Sequence, residues 1–253
     1  MPTSLERHSI RVLGSERTYW VAPAIGQPAP LLLVFHGSGL SGPLMAAWTG
    51  LAERGPAAGF ATVFPDGCQE MWDDAGRGRT DGIDDAAFVA ELVDRLVADR
   101  TAQSGETVLV GLSNGACFAE RLARYGVIAA AGLVLVAGTA REASRRQMVR
   151  PPGGTQVLCF EGTADQLSPY RGGYGKGPMA WMARRCTRPV LIGSGRREVV
   201  AAELLAADWA AANGYTGAPL VEPELGEVGD LTVDRLTWAG PGGARVVLYR
   251  IKG

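Results

Sequence analysis

Histidine is nearly missing from this sequence: the 253 residues contain 2, His8 and His36. Any chemistry that needs an imidazole base therefore has few places to find one. Cysteine is also sparse. The 4 present (Cys68, Cys117, Cys159 and Cys186) form no CxxC pair, which argues against a zinc or dithiol motif. Neither sign of charge dominates, since 25 basic and 26 acidic side chains leave a net charge of -1. No block of like charge occurs, so neither electrostatic nucleic-acid binding nor a basic membrane-surface helix is expected. No apolar run approaches the length of a membrane span, and no internal repeat or low-complexity segment is found. The N-terminus, MPTSLERHSI, is polar and lacks a signal-peptide pattern. The expectation is a cytoplasmic protein, or the mature form of an exported one with a new initiator Met. No metal and no cofactor are expected.

What is present is an ordinary globular balance, 47% hydrophobic and 20% charged, with ample length for a large core. One domain spanning 1–253 is expected. His8 to Val12 and Arg17 to Ala22 read as a hairpin around a Gly turn. LLLVFH (31–36) and ATVFPDG (61–67) are apolar runs of the kind found in strands buried on both faces. From Asp81 the chain reads as a capped helix, with Phe88, Leu92 and Leu96 beside Val89, Val93 and Val97 in one apolar stripe. AAGLVLVAG (130–138) and TQVLCFEG (155–162) are further strands. A helix over 197–214 and a hairpin, LTVDRLTW and RVVLYRIKG, close the chain. Alternating strands and helices mean an α/β fold whose mostly parallel sheet has helices on both faces, with chemistry at the carboxyl ends of the strands.

Three strand ends carry chemistry. An apolar run from Thr107 to Val110 meets GLSNG (111–115) and then an alanine-rich helix with Phe118 and Leu122 at helical spacing. A bare GxSxG pattern is weak in a glycine-rich chain. Strand before and helix after are the context that marks the nucleophile turn of the α/β-hydrolase fold, with Ser113 at its tip. HGSG (36–39) follows a buried strand. Ser38 N–H and Asn114 N–H are the candidate oxyanion donors. His36 stands where a hydrolase braces the oxyanion loop, and His8 reads as an exposed strand residue. The third end, EGTADQLSPY (161–170), offers Asp165, which comes after Ser113 as the acid of this fold should. From the residues alone it is equally a loop aspartate capping a turn. Cys117 and Cys159 read as small buried apolar residues, whereas Cys68 and Cys186 fall in loops and could pair in an exported protein.

LLLVFHGSG, FPDG followed by MWDD, IDDAAFVAELVDRLVAD, GLSNGACFAERLA and EGTADQLSPYRGG keep the order seen in polyhydroxybutyrate depolymerase and feruloyl esterase-like carbohydrate esterases. The chain resembles that family over roughly residues 10 to 250. The resemblance implies a serine esterase, of a secreted type, acting on hydroxyalkanoate oligomers or phenolic-acid esters. It makes Ser113 the nucleophile and Asp165 the acid, and places Trp72 at the border of an acyl pocket. Asp84 and Asp85 match a recurrent pair and lie at a helix start, where they read as structural. Two positions depart from the pattern: Glu161 stands where relatives have histidine, and Tyr215 where many have cysteine. The Gly-rich, aromatic segment 168–195 is expected to cover the site and to supply Tyr170 or Trp181 to its walls.

In that family the last strand runs into a loop carrying the catalytic histidine. Here the sequence ends at Gly253, where that loop should begin, so the chain is expected to be C-terminally incomplete and nearly inactive. A gap of roughly 6–8 Å, the width of an imidazole with a hydrogen bond on each side, should separate Ser113 Oγ from Asp165. Neither His8 nor His36 is expected in it. The competing expectation is a non-catalytic α/β-hydrolase-fold protein that binds a small acyl or phenolic ligand. Thioesterase or peptidase chemistry would use the same machinery.

Overall fold

A computed structural model describes residues 5–75, 83–147, 149–176, 198–239 and 243–253. Twelve strands are described: β1 (Glu6–Val12), β2 (Ser15–Ala22), β3 (Ala29–Phe35), β4 (Ala61–Pro65), β5 (Ala102–Leu112), β6 (Ala130–Val136), β7 (Gln156–Gly162), β8 (Gly173–Tyr174), β9 (Glu198–Val199), β10 (Leu220–Val228), β11 (Leu231–Ala239) and β12 (Arg245–Lys252). The described α-helices are α1 (Gly42–Thr49), α2 (Leu51–Ala57), α3 (Asp85–Ala98), α4 (Asn114–Arg124), α5 (Glu142–Arg145) and α6 (Ala202–Ala212). A ten-stranded sheet runs β1-β2-β4-β3-β5-β6-β7-β12-β11-β10. Its centre, from β4 to β12, is parallel, and an antiparallel hairpin flanks it at each side.

Strand alternation distributes the core over both faces. Leu31, Leu33 and Phe35 of β3 join the larger core with α3, α4 and α6, while Leu32 and Val34 face Met45 and Ala46 of α1. An isolated parallel strand cannot hide both sides of an apolar run, which is why helices must cover both. The stripe foreseen on α3 is buried at Phe88, Val89, Leu92 and Leu96. The helix itself begins later than Asp81: Asp84 is its N-cap and accepts from Ala86 N–H (2.9 Å) and Ala87 N–H (3.0 Å).

Three further differences have local causes. The stretch expected as a helix over 197–214 is helical as α6, from Ala202, and is preceded by β9, whose pairing with β8 ties Gly173 to Val199. Helices α1 and α2 were not foreseen, because Gly42, Pro43, Gly50 and Pro56 read as loop. Nor was β10. Its Pro223 and Gly226 argue against a strand, and only an edge position tolerates them, at the register shift between Glu222 and Gly226.

Candidate active site

Ser113 sits between β5 and α4 with φ 54° and ψ -114°, a conformation an L-residue holds only under constraint. The constraint is visible in its neighbours. A Cβ on Gly111 would lie 2.3 Å from Gly115 O, one on Gly115 2.4 Å from His36 O, and one on Gly138 2.4 Å from Ser113 O. Backbone presses on the turn from three sides, and glycine is the residue that fits. Ser113 N–H donates to Val136 O (2.8 Å), which pins the turn to the end of β6. Its side chain is half-buried.

The HGSG loop lies alongside. A Cβ on Gly37 would stand 3.6 Å from Ser113 Cβ. Ser38 is exposed, and Asn114 opens α4, so its N–H belongs to the first turn that has no intrahelical acceptor. Both candidate oxyanion donors thus border the serine.

His36 is fully buried and its ring is committed elsewhere. Gly67 N–H can only donate, so Nε2, 2.9 Å away, accepts, and Nδ1 carries the proton and donates to Gly37 O (2.8 Å). Burial lowers its pKa, which keeps the ring neutral. His8 lies in β1, at the opposite sheet edge from β10, with its ring stacked on Tyr19. Neither histidine serves Ser113 as a base in this arrangement.

Asp165 follows β7. Its Oδ1 accepts from Leu167 N–H (2.6 Å) and Ser168 N–H (2.8 Å), the turn-capping role, which engages one of its two oxygens. The strand order β5-β6-β7 puts two sheet spacings, about 10 Å, between the backbones at Ser113 and at the start of the Asp165 loop. Thr163 N–H donates to Ile251 O (2.8 Å), so the end of β12 reaches the same place.

Trp72 is 2% exposed, belongs to the larger core, stacks on Phe118 at 4.9 Å and meets Phe35 edge-on at 5.3 Å. Tyr170 helps line a cavity of about 780 Å³ with Thr163, Arg171, Ala201, Glu203, Arg250 and Lys252, and its hydroxyl donates to Glu203 Oε1 (2.7 Å). Trp181 and Cys186 lie outside the described residues, so the pocket role of the first and the pairing of the second do too. Cys117 and Cys159 are buried thiols, and burial pushes Cys117 up to about 12.

Asp74 and Arg141, which sequence reasoning passed over, and Glu161, which it noted without a role, complete the surroundings. Asn114 Nδ2 donates to Asp74 Oδ2 (2.7 Å), which also accepts from Arg141 Nε (2.8 Å). Burial lowers the Arg141 pKa, but the adjacent Asp74 carboxylate outweighs it and holds the guanidinium charged. Glu161 Oε1 accepts from Gly138 N–H (3.1 Å), behind the Ser113 turn, while Oε2 is buried with no hydrogen-bond partner among the described residues. Burial, opposed by that hydrogen bond, pushes its pKa up to about 8. The MWDD motif was the available signal for Asp74; Arg141 had none.

No protein-family model matches the chain. A curated relative from Nocardia uniformis subsp. tsuyamanensis, described as "Putative esterase NocK", is 34% identical over 169 residues, 64% of this chain. The chain covers 48% of that relative's length. Among solved structures, an acetyl xylan esterase from Aspergillus awamori superposes with a TM-score of 0.62 at 12% identity, over 98% of this chain and 93% of that one. FphF, a fluorophosphonate-binding serine hydrolase of Staphylococcus aureus, superposes with a TM-score of 0.53 at 12% identity, over 66% and 82%. The chain has the α/β-hydrolase fold.

Proposed function

We propose that this chain is a serine hydrolase of carboxylic esters, with hydroxyalkanoate oligomers or phenolic-acid esters as its substrate class. The observation that carries the proposal is the strained, glycine-cradled Ser113 at the carboxyl end of β5. A fold needs no such strain at a plain strand-to-helix turn. In this reading Ser113 Oγ attacks the ester carbonyl, and Ser38 N–H and Asn114 N–H receive the oxyanion. Asp165 orients an imidazole that takes the serine proton and returns it to the leaving alkoxide.

Neither of the two histidines of these 253 residues is that imidazole on this proposal. Two observations support it: His36 has its acceptor nitrogen occupied by Gly67, and His8 lies in β1 at one edge of the sheet. The chain as it stands is then a weak catalyst, because losing the histidine of a related triad costs about 10⁶ in turnover. Hydrolysis of p-nitrophenyl acetate with and without added imidazole is the test. Near-background turnover is expected, rising with imidazole in the native chain but not in Ser113→Ala, together with slow fluorophosphonate labelling at Ser113. Fast, Ser113-dependent turnover without imidazole would return His36 to candidacy. Binding of a phenolic acid with no Ser113-dependent turnover under any condition would favour a ligand-binding protein.

A further inference from the structure

Between β4 and α3 runs a short segment, Gly67–Asp74, whose only regular element is the 3-10 turn Cys68–Glu70. Its polar contacts go first to the HGSG loop and then to the start of α4, the two segments beside Ser113. Gly67 N–H donates to His36 Nε2 (2.9 Å), Gly39 N–H donates to Glu70 O (2.9 Å), and Trp72 Nε1 donates to His36 O (3.0 Å). All three grip the HGSG loop. The segment then takes hold of α4. Trp72 N–H donates to Asn114 Oδ1 (2.8 Å), and Asn114 Nδ2 donates back to Trp72 O (3.1 Å). The Asn114 side chain thus pairs with Trp72 as a strand backbone would. Beyond it, Asp74 receives Asn114 Nδ2 and the part-buried Arg141 guanidinium, and Asp73 N–H donates to Asp85 Oδ2 (2.8 Å).

We propose that Gly67–Asp74 is a strap that fixes the separation of the two oxyanion donors, with the Asp74–Arg141 ion pair as its latch. The inference rests on the serine hydrolase reading and adds positioning residues to it. The two donors follow the neighbouring strands β3 and β5, whose ladder fixes the chain as far as Phe35 and Gly111 and leaves the loops beyond it to other contacts. The strap supplies that restraint by holding one loop at His36 and Gly39 and the other through the Asn114 side chain. Its own backbone is held under strain, with Gln69 at φ 53° and Glu70 at φ 61°, as expected of a segment shaped by its contacts rather than by its sequence. An oxyanion hole acts only when its donors are already in place, so a donor shifted by a fraction of an ångström loses turnover rather than affinity.

The test uses imidazole-assisted hydrolysis of p-nitrophenyl acetate, corrected for the rate of Ser113→Ala and expressed per folded molecule from circular dichroism. Asp74→Asn and Arg141→Met are expected to lower kcat about 10-fold to 100-fold, below the 10²–10³ cost of losing a donor outright, with KM changed less than about threefold. Arg141→Lys should recover part of the loss. Trp72→Phe keeps the ring packing while deleting the Nε1 donor; it should lower kcat by about threefold or more even if the latch variants fail to fold. Folded variants whose kcat stays within twofold of the native value, while Ser113→Ala abolishes the assisted rate, overturn the strap and leave the hydrolase reading intact. If Ser113→Ala removes nothing, the hydrolase reading fails and the strap fails with it.

Discussion

The imidazole of His36 is held by a donor on one side and an acceptor on the other, and that pins its protonation state. A proton on Nε2 would confront Gly67 N–H and break the bond that starts the strap. Burial depresses the folded pKa below the ordinary 6.5, so folding excludes that proton. Stability tied to His36 is therefore complete above about pH 6.5 and is lost as pH falls through the lower folded value. Nitrogen-15 NMR should find Nδ1 protonated and Nε2 bare, with no titration of this ring as pH passes 6.5. A ring that becomes cationic at pH 6.5 would contradict the tautomer and the bracing role. The burial of Trp72, by contrast, has no signal in the sequence. An aromatic that lines a pocket and one that fills a core look alike in a string of letters. Its contacts with Phe35 and Phe118 exist only after three segments meet.

Local elements were legible wherever apolar period and glycine placement agreed. Strands β3, β4, β6 and β7, the stripe of α3 and the turn at Ser113 could all be read, because each bears its signal within a dozen residues. Helices α1 and α2 could not be read, since tertiary packing of Met45 and Ala46 overrides a weak, Gly- and Pro-interrupted pattern. The Asp74–Arg141 pair spans 67 positions and leaves no local trace. Glycines give this scale a sharp prediction. At Gly138 an added Cβ would collide with Ser113 backbone, whereas at Gly162 nothing lies within 4 Å. Gly138→Ala should destabilise by about 3 kcal/mol or more, or prevent soluble folding, while Gly162→Ala should stay within about 1 kcal/mol. Urea unfolding of the two variants decides it; equal effects would mean that the turn relaxes freely.

Across the whole molecule, two buried groups set opposing limits on pH. His36 penalises acid, and Glu161 penalises alkali. With its pKa pushed up to about 8 by burial, Glu161 keeps in the folded state a proton that the unfolded chain has already lost above 4.5. Stability from this group is full below about pH 4.5 and declines as pH rises to about 8, beyond which both states are ionised. Glu161→Gln keeps the Gly138 hydrogen bond and removes the titration. Its thermal midpoint should exceed that of the native chain at pH 8 by about 5 °C or more, and the difference should shrink toward pH 5. Equal midpoints at both values would show that Glu161 is solvated. The net charge of -1 adds a practical corollary: the chain has its weakest colloidal repulsion near its pI of about 6.2, within the range where it folds best.

The backbone pressed around Ser113 also has a bearing on descent. Substitution at Gly111, Gly115 or Gly138 is punished by collision whether or not any ester is ever cleaved. A lineage that abandoned hydrolysis would keep all three glycines for the sake of folding, and only the serine between them would be free to drift. Inheritance of the surrounding pattern therefore records selection for a foldable chain, and on the serine hydrolase reading the hydroxyl at position 113 is the letter that records selection for turnover.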